Sequence, residues 1–165
     1  MNTLTQEELR RVLDFDHVTG IFTWIGGTKA RMRAGTEAGN RSSVGYVSIM
    51  INGKQYRAHR LAWLWEYGEF PKHETDHING IRNDNRIANL REATHCENMQ
   101  NQRKMHKNNK TGYLGVYPSG YRKNPWRVTI SVQNKTKHVG HFATKEEARE
   151  AYLEAKRQYH AFCTI

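Results

Sequence analysis

The chain predicts an α+β fold built from two small modules, and three observations carry that prediction. Residues 75–98, T-D-H-I-N-G-I-R-N-D-N-R-I-A-N-L-R-E-A-T-H-C-E-N, set out a short strand, a glycine-centred loop, a second short strand and a helix start, in that order. Asn52-Gly53 divides two strand-like segments and is the strongest short hairpin signal present. Residues 111–162 read as three short strands followed by one helix. A length of 165 residues suits either one compact domain or two small ones.

Thr5-Gln6-Glu7-Glu8 is a capping box, with Leu4 and Leu9 as its hydrophobic staple, so a short helix is expected to about Phe15. Residues 16–20 form a turn, with His17 on the surface, and 21–24 have strand character. The stretch 26–39 is polar and rich in glycine. With Lys29, Arg31, Arg33 and the following Arg41 it reads either as a mobile loop touching phosphates or as a solvated one. Strands over 45–51 and 54–58 flank Asn52-Gly53. The period then changes: Leu61, Ala62, Leu64 and Trp65 fit the buried face of a helix over 59–67, closed by Gly68 and Pro71. Trp63 and Trp65 read as core, while His59 and Arg60 fit a structural role or a nucleic-acid contact.

In the 75–98 stretch, Asp76 offers a hard anionic oxygen and His77 a base that titrates near working pH. Neighbours on a strand point to opposite faces, so the two serve different jobs unless the strand ends there. Asn79-Gly80 breaks the strand, and Asn83, Asp84 and Asn85 read as a loop held by side-chain-to-backbone hydrogen bonds. Residues 89–93 return as the second strand. Thr94-His95-Cys96-Glu97 is another capping box, which puts Asn98 in the first turn of a helix.

Charge separates the two halves further. The net charge is +10 with a pI near 9.8, which points to a polyanionic partner. Residues 98–145 hold ten Lys or Arg and no Asp or Glu. Residues 103–110 form a basic linker in which Arg103, Lys104, Lys107 and Lys110 gain affinity for phosphates by counterion release. The expected organisation is therefore a domain over 1–102, the linker, and a domain over 111–165. In the latter, strands are expected at 113–117, 126–132 and 137–142 and a helix at 145–159. Ser119-Gly120 and Asn134-Lys135 supply the turns, and a Thr144 to Glu147 capping box starts the helix.

The run from His59 through H-R-L-A-W, D-H-I-N-G, N-L-R-E-A-T and E-N resembles the ββα-metal or HNH nucleases, especially the asparagine-rich subgroup common among phage and intron-encoded homing endonucleases. That resemblance implies Asp76 and Asn98 as metal ligands, His77 as general base, and Asn89 as the residue that braces the hairpin and orients the histidine. One carboxylate and one amide oxygen leave room for water and phosphate oxygens, which suits Mg2+, or Mn2+, better than Zn2+.

Further on, Y-L-G-V-Y, W-R-V-T-I, V-G-H-F and T-K-E-E-A-R-E-A-Y resemble an AP2 DNA-binding domain, whose three-stranded sheet enters the major groove. The resemblance implies DNA-facing positions at Tyr117, Trp126, Arg127, Thr129 and Ser131, with Arg122, Lys135 and Lys137 nearby. Leu114 and Tyr117 stand where relatives carry arginines, so base preference does not transfer. Sheet packing is an equal alternative for Trp126.

No apolar run is long enough for a membrane span, and Met1-Asn2-Thr3 does not begin a signal peptide. Cys96 and Cys163 form no C-x-x-C pair, which speaks against a zinc knuckle and for reduced thiols in a cytoplasm, that of a bacterial host if the gene belongs to a phage. The expectation is a metal-dependent DNA endonuclease acting on double-stranded DNA as a monomer or homodimer. A non-cleaving DNA-binding regulator is the alternative, and an RNA-directed protein a third reading.

Overall fold

The computed structural model describes residues 4–26, 33–101, 105 and 108–163. They fall into two compact units, 1–93 and 94–165. Four helices and small antiparallel sheets make up a mixed α and β architecture. Among the described residues no helix is long and apolar enough to cross a membrane.

The first unit opens with α1, Gln6–Val12, whose capping box is complete: Thr5 Oγ1 accepts from Glu8 N, and the Glu8 carboxylate accepts from Thr5 N. Leu4 and Leu9 are both buried, as the staple requires. The helix stops three residues short of the expected Phe15. Leu13 and Phe15 are buried while Asp14 and Asp16 are exposed, a spacing of two that a strand satisfies and a helix does not. Residues Leu13–Asp16 thus form β1, paired with β2, Ile21–Trp24. Asp16 closes the turn between them by accepting from Val18 N at 2.8 Å.

The segment after residue 32 is not a free loop. Ala38 N donates to Phe22 O and Trp24 N to Thr36 O, so it runs along β2. Lys29 and Arg31 lie outside the described residues. A second sheet follows, β3 (Asn40–Arg41), β4 (Val47–Ile51) and β5 (Lys54–Arg57), with the β4–β5 turn at Asn52 and Gly53, both at positive φ. The two residues of β3 are both exposed and carry no periodic signal in the sequence.

Helix α2, Ala58–Tyr67, buries Leu61, Ala62 and Leu64 in the unit's core and ends at Gly68 in the left-handed conformation. β6 (Glu74–His77) then pairs antiparallel with β7 (Leu90–Ala93). Asn89, expected on the returning strand, lies instead in a 3-10 turn over Ile87–Asn89.

The second unit starts with α3, His95–Gln100, capped by Thr94 and Glu97 as the sequence implies. It is tied within its unit by Cys96 Sγ donating to Asn134 Oδ1 and by Phe162 N donating to Gln100 Oε1. The sheet has order β10-β9-β8, with β8 at Val116–Pro118, β9 at Trp126–Val132 and β10 at Lys135–Phe142. The first strand starts later than the expected 113–117 because Gly115 sits at φ 69° with Tyr152 and the Thr129 carbonyl where a Cβ would be. The β9–β10 turn is Gln133-Asn134, both left-handed, one residue earlier than expected. Helix α4, Lys145–Tyr159, packs Ala148 against Val116 and Val128.

Candidate active site

β6 ends at His77, and strand alternation sends Asp76 and His77 to opposite sides. Asp76 is buried, and its Oδ2 accepts two hydrogen bonds from Arg91, its cross-strand partner, at 3.0 Å from Nε and 2.8 Å from Nη2. His77 is buried on the other side, its ring centre 5.1 Å from His59, edge to face, and 6.0 Å from Tyr46. His77 Nε2 lies 3.4 Å from Asn85 Oδ1.

The loop between β6 and β7 is organised by asparagines. Asn89 Oδ1 accepts from Asn79 N at 3.0 Å, and Asn89 Nδ2 donates to Asp84 O at 2.8 Å. Asn79 Nδ2 donates to Asp84 Oδ2 at 2.7 Å, and Arg86 grips both Asp84 oxygens, from Nε at 2.7 Å and Nη2 at 2.6 Å. Asn89 therefore holds the loop that carries Asn85, and Asn85 touches the histidine. In the sequence nothing sets Asn85 apart from the other loop residues around it. Gly20 supports the same loop from the first hairpin: it sits at φ 73°, and a Cβ there would lie 2.5 Å from Arg86 N and 2.8 Å from the Asn85 carbonyl carbon.

Electrostatics favour neutral imidazoles here. Burial holds the His77 pKa below its ordinary 6.5, with Arg82 acting in the same sense and the Asn85 hydrogen bond, Asp76 and Asp84 opposing. Burial lowers His59 further, to about 3, helped by the charges of His77, Arg60 and Arg57. His59 Nδ1 is buried with no hydrogen-bond partner among the described residues. Asp84 is lowered to about 2, chiefly by its hydrogen bond from Arg86.

A buried carboxylate next to a neutral base is chemically suited to a small oxygen-preferring divalent ion beside a proton acceptor. Among the described residues no group of three or more His, Cys, Asp or Glu could hold a metal ion. Asn98, the amide read from the sequence, stands on α3 in the second unit with its N–H donating to Thr94 O at 2.9 Å.

In the second unit, α4 covers one face of the sheet and leaves the other open. Tyr117, Arg127, Thr129 and Ser131 share the open face, by their register across β8 and β9. Trp126 is on the covered side with Val128 and Ile130, packed into the core and carrying Lys145 Nζ at 4.8 Å from its ring. Lys135 and Lys137, opposite Val132 and Ile130, are in phase with that side too, and Lys137 donates to Tyr159 Oη at 2.7 Å. The structure thus does not bring Trp126, Lys135 or Lys137 together with the other positions implied for DNA. Lys110 and Arg122 are exposed on the connections flanking β8, while Arg103, Lys104 and Lys107 lie outside the described residues.

Two open-face residues escaped sequence reading. A β-bulge sets Val139 and Gly140 together opposite Val128, which brings His138 and His141 onto the same face although they are three apart. Their rings are 4.8 Å apart, and Tyr121 packs edge-on to His141. With Arg127, Thr129 and Thr136 they line a shallow hollow. Strict alternation would have sent one of the pair to each side, so no sequence signal marked them.

Compared with known proteins, residues 56–100 match the family model described as HNH endonuclease. The matched segment contains Asp76, His77, Asn85, Asn89 and Asn98, and it supports a nuclease function. No curated protein and no solved structure matches the chain.

Proposed function

We propose that the chain is a DNA endonuclease of the HNH type, related to the homing enzymes, in which residues 1–102 cut and residues 111–165 hold duplex DNA. The observation that carries this reading is His77: a buried imidazole kept neutral by its surroundings, next to Asp76, inside the matched segment.

Neutral His77, with its Nε2 3.4 Å from Asn85 Oδ1, is the proposed acceptor of the proton from an attacking water. Asn85 fixes the ring, and Asn89 fixes the loop behind Asn85. Asp76 is the proposed carboxylate ligand, and Asn98 the amide ligand on the strength of the sequence resemblance. A bound Mg2+ or Mn2+ would polarise the scissile phosphate and offset charge on the departing 3′ oxygen. One such centre per chain cuts one strand per encounter. The open face with Tyr117, Arg127, Thr129 and Ser131 is the proposed AP2-like contact with the groove.

A non-cleaving DNA-binding regulator is favoured by one observation, the engagement of Asp76 Oδ2 by Arg91. Incubation of supercoiled DNA with Mg2+ or Mn2+, with EDTA and His77→Ala controls, separates the readings. Open-circle product that requires both metal and His77, with DNA binding preserved in His77→Ala, is the expected result. Cutting by His77→Ala at the wild-type rate would remove His77 as the base. Intact DNA under tight binding would favour the regulator.

A further inference from the structure

Arg57, Arg82, Arg86 and Arg91 lie at the site in the first unit, and these divide into two kinds. Arg91 is ion-paired with Asp76 at 2.8 Å and Arg86 with Asp84 at 2.6 Å. Arg57 and Arg82 have no carboxylate partner among the described residues, and both are exposed. Both stack on one ring: their guanidinium carbons lie 5.3 Å and 5.0 Å from the centre of Tyr46, which is itself 6.0 Å from His77.

We infer that Arg57 and Arg82, held by Tyr46 beside His77, form a clamp for the phosphodiester backbone next to the bond to be cut. The inference rests on the nuclease reading of this site for the identity of its ligand.

Three separate segments build the clamp. Tyr46 precedes β4, Arg57 ends β5 at the entry to α2, and Arg82 belongs to the loop that carries Asn85. Each arginine is anchored by one hydrogen bond, Arg57 Nη1 to Ser48 Oγ at 2.9 Å and Arg82 Nη1 to Val44 O at 3.0 Å. A guanidinium has five N–H donors, so each keeps donors for a ligand. The planar fork matches two oxygens of a phosphate, and stacking on an aromatic ring sets its orientation beforehand. Two like charges on one ring repel, and with no carboxylate between them the arrangement is relieved by an external anion. A phosphate is that anion, and the adjacent base is where a phosphate is needed.

The test uses the full chain in a His77→Ala background, so that no cutting intervenes, and a labelled DNA duplex titrated at several salt concentrations. Removing one phosphate contact lowers the slope of log affinity against log salt by about 0.9, and removing two by about 1.8. Arg57→Ala and Arg82→Ala are expected to show these losses singly and together. Arg10→Ala is the matched control, since Arg10 also stacks on an aromatic ring, 5.0 Å from Trp65, and hydrogen-bonds a backbone carbonyl; it should leave the slope unchanged. In the otherwise native chain, Arg57→Lys and Arg82→Lys should keep the slope but cut more slowly, because an ammonium lacks the fork. Unchanged slopes in both alanine variants, or an equal loss in Arg10→Ala, would overturn the clamp. Loss of slope in a chain that cuts no DNA with any divalent metal would sustain the clamp and refute the nuclease reading instead.

Discussion

Replacing His59 with phenylalanine should make the first unit more tolerant of acid. His59 is 8% exposed and packed against His77 and Tyr46, and its pKa of about 3 compares with 6.5 for an accessible histidine. Between those values the unfolded chain binds a proton that the folded chain refuses. Stability therefore falls as pH drops below 6.5 and stops falling on this account near 3, while above 6.5 the residue contributes nothing to pH dependence. One pH unit within the window is worth about 1.4 kcal/mol, so two units below 6.5, at pH 4.5, the native chain should lose about 2–3 kcal/mol relative to pH 7.5. Phenylalanine carries no proton, and its packing penalty is the same at both pH values and cancels in the comparison. Urea unfolding of both proteins at pH 7.5 and 4.5 measures the difference. Trp24, Trp63 and Trp65 report on the first unit and Trp126 alone on the second. An equal gap between the two proteins at both pH values would show that folded His59 titrates like an exposed histidine.

Gly20→Ala should destabilise the first unit by about 2–4 kcal/mol, since it adds a Cβ at positive φ against backbone that cannot yield. It should also slow cutting by displacing Asn85; wild-type melting would exclude the close approach. Asn89→Ala strips partners from Asn79 N and Asp84 O and should cost about 2–4 kcal/mol, read by urea unfolding. On the sheet of the second unit, Arg127→Ala and His141→Ala should weaken duplex binding, whereas Lys137→Ala, whose amine is held by Tyr159, should not. Binding lost in Lys137→Ala alone would place the DNA on the helix side.

Where local chemistry was self-sufficient, the sequence was legible. Three capping boxes, at Thr5, Thr94 and Thr144, mark helix starts because the hydroxyl and the carboxylate three residues on satisfy each other's backbone donors without outside help. Asn52-Gly53 gave its turn for the same reason. The end of helix α1 is ambiguous in the sequence because Leu13 and Phe15 are apolar in either period, and only their pairing with Trp24 and Phe22 decides for a strand. In the site, Asp76, His77 and Asn89 stood out as residue types suited to chemistry. Asn85, Tyr46, Arg57 and Arg82 did not, since their roles come from segments that meet only on folding. Trp126 and the strand lysines were assigned a face without the register, and the bulge at Val139-Gly140 changed the phase of everything after it.

The ion pair between Asp76 and Arg91 bears on what the hairpin is for. A buried pair of charges loses most of its mutual attraction to desolvation, and apolar residues of similar size are often as stabilising or more so. Residues Glu74–His77 and Leu90–Ala93 would hold their register through backbone bonds and Leu90 without it. The hairpin thus keeps a carboxylate out of water at a place where stability gains little from it, one residue from a histidine kept neutral by burial. Arg91 makes that carboxylate tolerable in the absence of another cation, donating from Nε and Nη2 to Oδ2. The same economy explains why Arg57 and Arg82 have no acid partner among the described residues: an arginine that neutralises Asp76 or Asp84 serves the fold, whereas these two, beside the base, are kept for an anion that arrives from outside.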